Sequence, residues 1–372
     1  MTGDDLLHSQ SLPEDLILET LLRLPVRSLL QLKCVCKLWK TLISDSEFAK
    51  RHLQRLTMDP SITNPQFIIG RGDAKVTSFP VKPLLENPSE PTEAVEFSME
   101  HRFSILGSCN GLVCLLDIDQ GYVRLWNPST RFKSKESPSL GSLFYHWAVT
   151  SYGFGYDHVN DKYKVLLDVH SHSLVRSGCS ENVILYTFGE NSWTSVQNFP
   201  FPIPTTSFQG KFVSGTLNWV VVREDGDYSR TTILSFDLGK ETYSEILLPQ
   251  NQKYDSYRDS KPNLGVLHNC LCLSFDIDTH LVLWLMKEYG VAESWTRLMM
   301  IPAEHLWKGV DQGPYCVVEP LFIFGNSIVL LKTVDRIFLY NFNSGRIDIP
   351  LISTSIGLKQ HLHLETLVSP QL

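Results

Sequence analysis

Five short apolar runs, each carrying an aromatic residue, recur along the chain: Arg124-Leu125-Trp126-Asn127, Ile184-Leu185-Tyr186-Thr187, Leu234-Ser235-Phe236-Asp237, Val282-Leu283-Trp284-Leu285 and Phe338-Leu339-Tyr340-Asn341. Their aromatic positions are separated by 60, 50, 48 and 56 residues. A period near 50 is that of a four-stranded propeller blade, a sheet that buries its faces only by stacking on the next copy of itself. No other feature restricts the fold as strongly.

Each unit reads in the same order. In the clearest, residues 211–214 form an inner strand, 216–222 the second, 231–237 the third and 242–248 the outer one. Trp193, Trp295 and Tyr243 follow the third strands of their units and mark outer strands. Five complete units leave remnants near residues 67–69, 75–79 and 94–97 and at 361–368. A propeller must close its ring to protect its terminal edges, and one blade built from both chain ends achieves this, so six blades are expected. A two-sheet sandwich or an irregular barrel is compatible with the same alternation.

The 372 residues suggest two domains or one large repeat architecture, and 43 % apolar with 20 % charged residues fits a chain that buries a core. A formal net charge of −7, with no basic stripe, argues against nucleic acid as a partner. The acidic start MTGDDLLHSQ is unlike a secretory signal, which places the expected location in the cytoplasm and/or nucleus. The longest apolar stretches, such as residues 281–286, have strand length, so no membrane span is expected.

Over residues 11–56 the period is helical. Pro13 suits a first turn, Glu14 and Asp15 lie beside the positive helix end, and Leu16, Ile17, Leu21 and Leu24 recur at helical spacing. Pro25 ends that helix; a second begins around Val26 and presents Leu29, Leu30, Leu32, Cys34 and Val35. Ser44 and Glu47 match a capping box for a further helix carrying Phe48 and Leu53. About fifty residues of short helices cannot bury this much apolar surface among themselves. Part of it awaits a partner, or the helices pack on the rest of the chain.

The run SLPEDLILETLLRLPVRSLLQLKCVCKLWKTLI, residues 11–43, resembles an F-box through Leu12-Pro13, Leu24-Pro25, Val35-Cys36-Lys37 and Trp39, and residues 46–53 resemble its continuation in plant F-box families. The resemblance implies docking to a Skp-family adaptor and, through it, to a cullin. Carried over by position, Leu12, Pro13, Leu16, Leu24, Pro25, Leu29, Cys34, Val35 and Trp39 would form or support that interface. Apolar anchors on packed helices and one tryptophan are what a protein-binding hot spot uses.

The rest resembles the plant F-box-associated or kelch-like domain through residues 107–112 (GSCNGL), 125–130 (LWNPST), 153–157 (GFGYD) and 215–219 (GTLNW). Asn110-Gly111 and Asn127-Pro128 suit tight turns, and Gly215 a sharp reversal. The diglycine of ordinary kelch blades is missing. The expected fold is therefore an α+β multidomain chain: residues 1–10 a disordered N-terminus, 11–56 a helical F-box, and 57–372 an all-β, kelch-like six-bladed propeller closed by both chain ends.

Nothing in the pattern calls for catalysis, a metal or a cofactor. The eight cysteines include Cys34-x-Cys36 in a helical pattern, a poor chelate, and Cys109, Cys114, Cys270 and Cys272 in strands, so all are read as reduced thiols. Asp117 with Asp119, and Asp276 with Asp278, are read as turn caps rather than a cation or glycosidase site. His170 with His172, and His361 with His363, are read as polar positions on half-buried strands. The motifs of serine hydrolases, zinc proteases and P-loops are absent.

A binding surface is expected on the long connections 142–150, 170–181, 250–262 and 305–315. They carry Phe144 and the substrate-binding candidates Tyr145, His146, Trp147, Tyr254, Tyr257, Trp307 and Tyr315. The expected function is the substrate-recognition subunit of an SCF-type ubiquitin ligase that binds an unknown protein. A glycan- or small-ligand-binding F-box receptor, an adapter outside a ligase, and a stand-alone hydrolase are the alternatives.

Overall fold

The computed structural model describes residues 13–58, 63–70, 74–141, 147–171, 182–203, 208–225, 228–249, 262–277, 279–307, 318–325, 327–333, 336–350 and 360–371. The proposed disordered stretch 1–10, and Leu12, lie outside them.

Proline opens the first two helices. Pro13 and Pro25 are the N-caps of α1 (Glu14–Leu21) and α2 (Val26–Leu32), where the ring's fixed φ is tolerated and no N–H is missed. α1 stops short of Pro25 because the residue before a proline avoids helical backbone. α3 (Lys37–Ser44) and α4 (Ser46–Met58) follow. The expected capping box is corrected here: Ser44 is the last residue of α3, and Asp45 Oδ1 accepts the Phe48 N–H at 3.0 Å. Aspartate caps as well as serine does and adds a charge that complements the helix dipole. The helical placement of Cys34 and Cys36 is also corrected. Both lie in the turn between α2 and α3, where Cys36 Sγ accepts the Trp39 N–H at 3.5 Å as an N-cap.

From Pro65 onward six antiparallel sheets stack as blades. The first joins β1 (Pro65–Gly70), β2 (Lys75–Pro80) and β3 (Val95–Ser98) to β23 (Gln360–Leu364), in the order β23-β1-β2-β3. β23 pairs with β1 with Phe67 opposite Leu362, so the chain's last strand closes the ring as expected. The second blade is β4 (Phe103–Cys109), β5 (Leu112–Asp117) and β6 (Val123–Trp126). The third is β7 (Trp147–Asp157), β8 (Lys162–Ser171), β9 (Asn182–Thr187) and β10 (Thr194–Ser195). The fourth is β11 (Lys211–Val213), β12 (Thr216–Asp225), β13 (Tyr228–Asp237) and β14 (Thr242–Ile246). The fifth and sixth are β15 (Asn263–Leu267), β16 (Cys270–Ile277), β17 (His280–Met286), β18 (Trp295–Pro302), and β19 (Glu319–Phe324), β20 (Ile328–Lys332), β21 (Ile337–Asn341), β22 (Arg346–Asp348). The recurring aromatics Trp126, Tyr186, Phe236, Trp284 and Tyr340 all fall on third strands.

The second blade lacks a fourth strand for a local reason. The chain after Arg131 runs beside β6, but the Ser134 and Ser137 hydroxyls take the N–H groups of Leu125 and Val123 at 2.9 and 3.0 Å, in place of a regular backbone ladder.

Stability resides in the seams between blades. β5 is buried at every position. Val113 and Leu115 pack toward the first blade with Ile68 and Phe103, whereas Leu112, Cys114 and Leu116 pack toward the third with Phe154 and Val165. Such strands have two apolar faces, which is why their sequences read as unbroken apolar runs. The seam between the sixth and first blades, Leu330, Ile337 and Leu339 against Phe67, Ile69 and Phe79, exists only because the ring closes. Gly155 lets inner strands approach: a Cβ there would lie 2.3 Å from Phe212 Cδ2.

Turns sort to two ends of the ring. Connections from first to second strands include Asn110-Gly111, Ser214-Gly215 and His268-Asn269, each with positive φ at both residues as a type I′ hairpin demands. Asn127, Asp237 and Asn341 end third strands at this same face, and each Oδ1 accepts N–H groups two and three residues on. β23 is the first strand of its blade and β1 the second, so the helices and the C-terminal residues also adjoin this face. The strand ends that lead from blade to blade, and from second to third strands, lie at the opposite face. Asp117 caps such a turn as expected, accepting the N–H groups of Asp119 and Gln120 at 2.8 and 2.7 Å; Asp278 lies outside the described residues.

Trp219 is 1 % exposed in the seam between the third and fourth blades, and Val159 is 84 % exposed in a turn. Trp219→Ala is expected to cost about 3–5 kcal/mol in urea unfolding, and Val159→Ala no more than about 0.5 kcal/mol.

Candidate adaptor-docking site

The helices build a small core of their own. Leu21, Leu22, Val26, Leu29, Ile43, Phe48 and Ala49 form it, with Ile17, Leu24 and Trp39 packed at its margin. His52, fully buried, ties α4 to the α1–α2 turn through Nε2, which donates to the Leu24 carbonyl at 2.9 Å; burial holds its pKa below the usual imidazole value. Arg55 and Arg51 of α4 reach Glu19 of α1 at 3.2 and 3.9 Å.

Apolar side chains remain outside that core. Leu16 is 55 % exposed, Val35 63 % and Leu38 46 %, with Pro13, Pro25, Cys34 and Cys36 also exposed. Leu16 lies on α1, Val35 and Cys34 in the α2–α3 turn, and Leu38 on α3. The residues singled out from sequence therefore divide. Pro13, Leu16, Pro25, Cys34 and Val35 are exposed, Leu24 and Trp39 are half-buried, and Leu29 is fully buried and supports the others from within. Leu38 was not anticipated; its position beside Trp39 in an amphipathic helix was the available signal.

The helical module lies against the propeller. α4 residues Ala49, Lys50 and Leu53 border a cavity of about 1210 Å³ that the inner strands line. Lys211 and Glu319 meet across two blades in it at 2.5 Å, and Gln209 Nε2 lies 3.3 Å from His361 Nδ1. Lys50 also pairs with Asp161 at 2.7 Å. Leu367, from the far end of the chain, joins the helical core.

Of the substrate-binding candidates, Tyr145, His146, Tyr254, Tyr257 and Tyr315, with Phe144, lie outside the described residues. Trp147 opens β7, and Trp307 ends a short helix, α6 (Ala303–Trp307); α5 is Val81–Glu86, also unanticipated. The strand ends bracketing these connections, Ser171 and Asn182 among them, belong to the propeller face away from the helices. His170 is buried, with Nε2 2.9 Å from Asp168 Oδ2; His172 lies outside the described residues. Among the described residues no group of three or more His, Cys, Asp or Glu side chains could hold a metal ion. Burial pushes the thiols of Cys109, Cys114 and Cys272 up, so they stay protonated.

Comparison with known proteins agrees with this architecture. Residues 9–51 match the F-box domain family and residues 70–331 match the F-box associated beta propeller domain family. The chain belongs to the F-box proteins that carry this propeller. An F-box/kelch-repeat protein of Arabidopsis thaliana is 29 % identical over 99 % of this chain and 98 % of its own length. The F-box protein CPR1 of the same plant is 28 % identical over 78 % of this chain and 73 % of its own. Among solved structures, a chain of the nidogen/laminin complex aligns at TM-score 0.46 and 9 % identity, covering 81 % of this chain and 99 % of that one, too distant to support any inference.

His363 borders the cavity and is 3 % exposed, and burial lowers its pKa to about 4. The unfolded chain takes up that proton near pH 6.5 but the folded one only near 4, so stability falls as pH drops through this window. Relative to His363→Gln, the native chain is expected to lose roughly 2 kcal/mol more between pH 7 and pH 5, read from urea midpoints at the two pH values.

Proposed function

We propose that this chain is the substrate-recognition subunit of an SCF-type E3 ubiquitin ligase. The observation that carries the reading is that Leu16, Val35 and Leu38 stay exposed on a helical module whose buried core does not include them. Several exposed apolar side chains on one short helical module are the kind of surface a protein partner covers. Here the partner is a Skp-family adaptor and, through it, a cullin. F-box domains generally bind such an adaptor, and F-box proteins generally contribute no catalysis of their own. The target is a protein held at the propeller face away from the helices, the face to which the strand ends bracketing residues 142–150, 170–181, 250–262 and 305–315 belong. The complex would act in the cytoplasm or nucleus.

Leu16→Asp with Val35→Asp removes the anchors without opening the core, since both are exposed. The double variant is expected to fold normally and to bind a purified Skp-family adaptor at least about 100-fold more weakly, read by calorimetry. Unchanged affinity would exclude this surface as the docking site. Leu29→Ala, in contrast, is expected to lower the stability of the helical module by about 2–5 kcal/mol.

A further inference from the structure

The propeller's last strand ends at Leu364, yet the next residues remain ordered against three different parts of the molecule. Thr366 is fully buried. Its N–H donates to Ser129 Oγ at 3.3 Å, and its carbonyl accepts from Asn127 Nδ2 at 3.0 Å. The same Nδ2 donates to the Val368 carbonyl at 2.8 Å. Asn127 is itself fully buried, and its Oδ1 is occupied by the N–H groups of Ser129 and Thr130. Its side chain thus has one end holding its own turn and the other holding the tail.

Gly111 completes the slot. Its φ is +74°, and a Cβ there would lie 2.2 Å from Thr366 Cγ2 and 2.5 Å from the Leu364 carbonyl oxygen. Val368 packs on the seam between the second and third blades. Leu367, between these two propeller-facing residues, is 7 % exposed and packs with Leu21, Leu22, Val26, Leu29, Ile43, Phe48 and Ala49. An extended segment alternates its sides, and here one side belongs to the propeller and the other to the helices.

We infer that residues 365–368 are a strap fixing the orientation of the F-box on the propeller, with Asn127 as its latch and Leu367 as the positioning residue inserted into the helical core. The residues 107–112 and 125–130, legible in the sequence as tight turns, acquire a second role as the walls of the strap's slot. The pair Lys50 with Asp161 also crosses between the helices and the propeller, but its side chains are 49 % and 60 % exposed, and such a pair holds little. On the ligase reading, the strap sets the distance and angle between the adaptor surface and the face that holds the target.

Asn127→Asp tests the latch without disturbing its turn: the acceptor to Ser129 and Thr130 is kept, while the donor becomes an oxygen facing two carbonyl oxygens. Leu367→Ala tests the other side and touches no propeller seam. Hydrogen exchange of the full chain, followed by mass spectrometry, reads both variants. The expected result is amide exchange about tenfold faster across α1–α4, with β12 and β13 of the fourth blade within about twofold of native. Unchanged exchange in α1–α4 for Leu367→Ala would overturn the inference, and so would equal acceleration there and in β12–β13. Should Asn127→Asp loosen the whole propeller, Ser129→Ala, which removes the acceptor of the Thr366 N–H and leaves the helical core intact, takes its place. No adaptor is present in the measurement, so the strap can fail while adaptor docking stands, and the reverse.

Discussion

The packing of sheet against sheet is what everything else here depends on. A four-stranded blade has two apolar faces and no helix to cover either, so its only stable position is between two other blades. The alternation along β5 shows this residue by residue, with odd positions serving one seam and even positions the other. A linear stack would leave two faces bare. Closing the ring removes both, and the cost of closure falls on β23, which crosses the length of the domain to pair with β1. Loop-closure entropy grows slowly with length, so one long-range pairing is offset readily by a seam that includes Phe67, Phe79 and Leu339.

The helical module obeys the opposite logic. Its core is small, and seven buried residues of its own are supplemented by one from the end of the chain. A module of this size has little apolar area to set against its ordering entropy. Placing Leu16 and Val35 in water lowers solubility and gains nothing for the fold. Both features make sense together when the module is completed from two sides, by the strap within the chain and by a partner outside it.

Much of the fold was legible in the sequence because the repeat imposes the same order on every unit. The strands of the fourth blade follow from turn residues and apolar runs alone, as do the remnants at both ends of the chain, except that the last strand stops at Leu364 and not at residue 368. What was not legible has local causes. The Ser134 and Ser137 hydroxyls replace a ladder, leaving the second blade one strand short. Asp45 outcompetes Ser44 as a cap. α5 follows a proline and contains another, so its single turn and a half carries no periodic signal. For the candidate site, the exposed Leu16 and Val35 were visible as residues in excess of what a small core needs. Leu367 was invisible, because no local pattern relates it to helices more than three hundred residues earlier.

That last case gives the turns within residues 107–112 and 125–130 a task beyond reversing the chain. Asn110-Gly111 and Asn127-Pro128 would be interchangeable with many tight turns if reversing the chain were their only task. The slot they form accepts a segment without a Cβ at position 111 and requires a side chain at 127 that can accept at one end and donate at the other. Glycine and asparagine are the residues that meet those conditions. The constraint on these turns thus comes from the chain end that lies across them, and through that end from the helices at the opposite terminus.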